Sequence, residues 1–119
     1  MPLQRPLPPL IAATLSLLTI TSPASGNTQL GLGLTKCAQF NAIQSQAPEI
    51  ARAFDAWITG YVSGVNFIVY TTKGVDLLAQ ESSEKVSSFV KGYCSINPNR
   101  SLTEGANEYW FGLANRQPR

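Results

Sequence analysis

The sequence predicts an all-α protein, a small three-to-four-helix bundle with one disulfide. Three observations lead there. Apolar residues recur at helical spacing through most of residues 35–116, and no stretch alternates apolar with polar as a half-buried strand would. Helix caps and helix stops punctuate the same region. Only two cysteines occur, Cys37 and Cys94, one near each end of it.

The chain has 119 residues, so it holds one domain at most. Its formal charge of +2 gives no reason to expect a nucleic-acid or membrane partner. Residues 1–26 read as a secretory signal. Arg5 supplies a positive start, "LIAATLSLLTI" (10–20) an apolar run of signal length, and Ala24-Ser25-Gly26 small residues for cleavage after Gly26. The alternative is an uncleaved anchor or a buried helix. A lipid anchor on Cys37 is disfavoured because Lys36 stands where a small residue is wanted. Cleavage would leave 119 − 26 = 93 residues in an oxidising compartment, with no membrane contact.

"NTQLGLGL" (27–34) has two glycines and no charge, and is expected to be a flexible arm. Residues 35–119 form the single helical domain. Its first element, 35–44, is expected to be a short helix with Thr35 as N-cap and with Cys37, Phe40 and Ile43 facing inward.

The strongest element is 47–74. Pro48 suits a first helical turn and Glu49 the positive end of the dipole. Ile50, Phe54, Trp57, Ile58, Tyr61, Val65 and Ile68 recur at helical spacing and predict the inner face. Arg52, Asp55, Thr59, Ser63 and Asn66 predict the outer one. Gly74 is the expected stop. The β-branched run "FIVYTT" (67–72) argues for an earlier end.

Residues 75–83 connect to the next helix and carry two leucines expected to be buried. In 83–97, Val86, Phe89, Val90, Tyr93 and Cys94 form an inner stripe, and Asn97-Pro98 ends it. In 101–116, Ser101-x-x-Glu104 is a capping box, Leu102, Ala106, Tyr109, Trp110 and Leu113 line one side, and Arg116 closes the last turn.

The cysteines admit few roles. A catalytic thiolate wants a neighbouring base, usually histidine, and the chain has none. Zinc needs more donors, and there is no C-x-x-C. What remains is a Cys37–Cys94 bond. It would close a loop of about 58 residues, worth about 4 kcal/mol in the chain-entropy model. A hydrolase is disfavoured for the same lack of histidine and of a G-x-S-x-G elbow. No enzyme, metal or cofactor is expected.

Gly60-x-x-x-Gly64 lies in the long helix. In a membrane it would signal helix dimerisation. In this amphipathic helix it predicts, with Trp57 and Tyr61, close packing of a neighbouring helix. The pairs Glu81/Glu84 and Glu104/Glu108 are read as exposed helix surface rather than acid–base machinery. Asn99-Arg100-Ser101 fits a glycosylation pattern, but capping is the simpler use of Ser101. Phe67 and Phe111 fall off the inner stripes and are candidate partner-binding residues.

Three stretches resemble the HdeA/HdeB family of small periplasmic acid-stress proteins. They are "TKCAQF" (35–40), "FDAWITGYVSGVN" (54–66) and "VSSFVKGYCSINPNRSLTEGA" (86–106). The resemblance implies an all-helical fold, the Cys37–Cys94 disulfide, a periplasmic location and capture of unfolding client proteins at low pH. Gly60-Tyr61-Val62-Ser63-Gly64 is also similar to a helix of type VI secretion immunity proteins, which would imply one specific toxin as partner. Another periplasmic interaction module is the remaining reading, and a homodimer is compatible with all three. An acid response has a physical basis here. The seven carboxylates protonate below about pH 4–5, and the processed chain would pass from 8 − 7 = +1 to +8.

Overall fold

The computed structural model describes residues 29–118, together with Pro2, Leu3 and Pro9. The predicted export signal lies outside the described residues apart from those three. Four helices follow a short 3-10 turn at Gly31–Leu34. They are α1 (Cys37–Gln46), α2 (Pro48–Lys73), α3 (Ser83–Ile96) and α4 (Leu102–Asn115), with no strand among the described residues. The fold is a small all-α bundle. α3 packs against α1, α2 and α4, α2 also against α1 and α4, and the 3-10 turn against α2 and α4.

Phe40, Ile58, Val62, Val90, Leu102 and both cysteines fill the centre with almost no exposure. Cys37 and Cys94 are bonded, with Cα atoms 4.8 Å apart. The backbone reinforces this tether. Cys37 N–H donates to Arg100 O at 2.8 Å, Ala38 N–H to Pro98 O at 2.9 Å, and Leu102 N–H to Thr35 O at 3.0 Å. The α3–α4 linker therefore satisfies the first N–H groups of α1, which a helix start leaves unpaired. For this reason Thr35 is not the cap. Lys36 holds that position without a side-chain bond, and Thr35 contributes its carbonyl instead.

Ala47 separates α1 from α2. Pro48 disfavours helical backbone at the preceding residue, and Ala47 leaves it with φ −143°. α2 runs through the β-branched stretch to Lys73 rather than stopping early. Thr71 and Thr72 adapt by donating their hydroxyls to Phe67 O at 3.0 Å and Ile68 O at 2.7 Å, one turn back. Gly74 ends the helix at φ +67°, a conformation that favours glycine, and its N–H donates to Tyr70 O.

Asn66, assigned by pattern to the outer face, fastens the connector. Its Oδ1 accepts from Leu77 N–H at 2.8 Å and its Nδ2 donates to Asp76 Oδ1 at 2.9 Å. Leu77 is buried and Leu78 half-buried. α3 is capped by Ser82 and α4 by the full Ser101/Glu104 box, with Ser101 N–H donating to Glu104 Oε2 at 2.7 Å.

The expected flexible arm is partly folded. Gly31–Leu34 is an ordered turn with Gly33 buried. A Cβ on Gly33 would collide with the Trp57 ring and with Thr103, so only glycine lets the turn lie this close.

Candidate functional site

α2 has two apolar faces, and only one of them is in the core. The inner face is Ala51, Phe54, Ile58 and Val62, all buried. The stripe expected inward is thus rotated in part toward solvent. Ile50 is 55% exposed and Ile68 62%. Ala51 and Val62, which the periodicity did not single out, take the inner positions. The physical reason is that α2 carries more apolar surface than one helix layer can cover.

The outer face is built around an aromatic pair. Trp57 and Tyr61, one turn apart, stack with ring centroids 5.1 Å apart and planes 13° from parallel. Tyr61 Oη donates to Asn107 Oδ1 on α4 at 2.8 Å. Trp57 is wedged against the backbone of Gly31 and Gly33. Both rings are half-buried, so they do join α2 to its neighbours, as expected of packing residues.

Gly60 and Gly64 do not. A Cβ on either would meet nothing within 4 Å, so among the described residues no helix approaches there. The close approach expected of them belongs to Gly105 on α4, where a Cβ would sit 2.9 Å from Tyr93 Cδ1 and 3.3 Å from Val90 Cγ1. Gly60 instead floors an open groove of about 730 Å³, walled by Leu30, Trp57, Tyr61, Val65 and Ile68. Phe67 extends this face and is 66% exposed. From Ala56 to Thr72, 72 − 56 + 1 = 17 residues, α2 carries no charge. Two mid-helix glycines weaken α2 by about 1 kcal/mol each relative to alanine. No packing among the described residues offsets that.

Phe111 is exposed on α4, edge-on to Trp110 at 5.7 Å. No aromatic contact or pocket joins it to Phe67 among the described residues, so the two candidate partner residues do not share a site.

The carboxylates divide differently from their spacing. Glu104 is held below the usual range, first by the Ser101 N–H in the capping box, with Arg100 at 3.0 Å assisting. Glu84 is held low by backbone N–H bonding and by Ser82 at the start of α3. Glu81 pairs with no other acid. It accepts from the Tyr109 hydroxyl, and burial, followed by Glu81, pushes that phenol up. Asp55 Oδ1 is buried, and its partner is Lys91 Nζ at 3.6 Å, an ion pair longer than a hydrogen bond. Arg52 and Ser63 remain outward, while Asp55, Thr59 and Asn66 turn toward α3 and the connector.

No protein-family model, curated protein or solved structure matches the chain. Among the described residues no helix is long and apolar enough to cross a membrane. The residues missed by pattern are Leu30, Gly33 and Gly105. Gly33 had a signal, since an uncharged "LGLGL" suits an ordered close-packed turn as well as a loose one.

Proposed function

We propose that the protein is a non-catalytic, exported binding module that captures unfolding proteins in acid, using the outer face of α2. The observation that carries this is the open, uncharged groove beside the Trp57–Tyr61 stack, whose glycine floor at Gly60 meets no other element among the described residues. Its occupant is an apolar, uncharged segment, the kind that an unfolding client exposes. A charged segment would lose hydration there without a partner.

Acid response fits two of the carboxylates. Glu84 lies in the first turn of α3 and Glu104 in the capping box of α4, and both have lowered pKa values. Their stabilisation is present above the ordinary value of 4.5 and is lost as pH falls through the lower folded values. Protonation therefore loosens the starts of α3 and α4 while the Cys37–Cys94 bond still ties α1 to α3. The test is client aggregation at about pH 2–3 and at neutral pH. Suppression confined to acid, and lost in Ile68→Ser with Phe67→Ser, is expected. Absence of suppression in acid rejects the reading.

A second reading, a type VI immunity protein, is favoured by one point: the groove is already open in the folded bundle. It predicts a stable neutral-pH complex with one peptidoglycan-active toxin. A pull-down free of any such partner would count against it.

A further inference from the structure

A separate pocket lies where the last turns of α2 and α4 meet the connector. Val69, Val75, Leu77, Trp110 and Ala114 give it apolar walls, Lys73 and Gln117 complete the lining, and its volume is about 180 Å³. Among the described residues no carboxylate lines it. The nearby Asp76 is engaged by Asn66 Nδ2 and by Leu78 N–H. Lys73 is exposed and forms no ion pair among the described residues. The Trp110 Nε1–H is buried and has no hydrogen-bond partner there. Leu77 is held as a wall by the Asn66 clamp on its N–H, so the pocket is a built feature of the connector rather than a gap between mobile ends.

We infer that this pocket binds a small carboxylic acid with an apolar tail of about six carbons or one aromatic ring. The size follows from volume, since an apolar cavity of about 150 Å³ takes a benzene ring. The apolar walls select the tail. The Lys73 ammonium beside them, which forms no ion pair among the described residues, selects a negative head. This assignment is independent of the α2 groove and of the acid reading. A ligand here would clamp the connector against α4, and so would stabilise the folded bundle by mass action.

The chain has two tryptophans, so the indole N–H region of a ¹⁵N–¹H spectrum holds its own control. The disulfide-intact protein is titrated at neutral pH with hexanoate, phenylacetate, hexanol and hexylamine. Saturable movement of the Trp110 signal in the millimolar range with either acid, with Trp57 unmoved, is the expected result. Hexanol and hexylamine should bind about tenfold more weakly or not at all. Equal movement of both indoles, or none with either acid, overturns the site. Equal affinity for hexanol or hexylamine overturns the carboxylate assignment. Ala114→Leu should fill the pocket and abolish the hexanoate shift. Lys73→Gln, at an exposed position that folding does not need, should weaken hexanoate about tenfold and leave hexanol unchanged. Unchanged hexanoate binding in Lys73→Gln also overturns the proposal.

Discussion

The two sides of α2 carry similar amounts of apolar side chain and have opposite fates. Phe54, Ile58 and Val62 meet α1, α3 and α4 and are sealed. Trp57, Gly60, Val65 and Ile68, a fraction of a turn away, look into an open groove. The inner side is closed because α1 and α3 are tied together at Cys37–Cys94, which gives it covering helices. Among the described residues the outer side is covered in part, by the 3-10 turn at Gly31–Leu34 against Trp57 and by Asn107 of α4 at Tyr61. Apolar periodicity therefore locates a helix that packs, and leaves open how much of the packing lies within the same chain.

The largest expected effects break the inner side. Cys94→Ser should lower unfolding free energy by about 4 kcal/mol in a urea titration. Ile58→Ala should lower it by about 4 kcal/mol, since the fully buried site leaves a cavity. Ile68→Ala, on the same helix, should change it by less than about 0.5 kcal/mol. Equal losses at Ile58 and Ile68 would mean that the two faces do not differ.

Glycine substitutions sharpen the contrast at the next level. Gly33→Ala should destabilise by about 1–3 kcal/mol, because Trp57 and Thr103 must move. Gly60→Ala should stabilise by about 1 kcal/mol, because space is open and alanine is the better helix former. If the groove is the binding face, Gly60→Ala should at the same time weaken client capture, a gain in stability at the expense of function. A loss of stability in Gly60→Ala would show an internal contact at that glycine.

Smaller effects come from the helix starts. Ser101→Ala removes the α4 cap and should cost about 1 kcal/mol in the same titration. In a pH series, stability should fall below the ordinary carboxylate value of 4.5, where protonation of Glu84 and Glu104 begins to weaken their bonds at the starts of α3 and α4. The double variant Glu84→Gln, Glu104→Gln should flatten that fall. An unchanged acid slope would remove these groups from the response. At the alkaline end, the neutral Tyr109 phenol stabilises the fold below its ordinary value of 10.0, and this is lost as pH rises through its raised folded value. Tyr109→Phe should blunt that alkaline loss.

Much of the architecture was legible because it is local. Pro48 and Gly74 bracket α2, Ser101 and Glu104 open α4, and two lone cysteines in a histidine-free chain leave a bond as their main option. The site was legible only in part. Trp57 and Tyr61 were recognised as packing residues, but the glycines beside them, expected against a neighbouring helix, meet none among the described residues. A Gly-x-x-x-Gly spacing states that something comes close, without saying whether it belongs to the same molecule. The buried hydroxyl of Tyr109 on Glu81 was invisible, since the two residues are 28 positions apart and no local pattern couples them. Asn66 was read as solvent-facing because one polar residue on a helix looks the same whether it meets water or a backbone N–H.

The sequence by itself determined the four helices, most of their ends and the disulfide. These follow from spacing, backbone preference and side-chain chemistry, which act over a few residues. Tertiary structure alone decided which face is covered, that Gly33 and Gly105 rather than Gly60 and Gly64 sit in tight contact, and where Lys73 and Trp110 come together. Those outcomes depend on the rotation of each helix about its axis. That rotation is set by competition among all the buried surfaces at once, and no short stretch of chain encodes it.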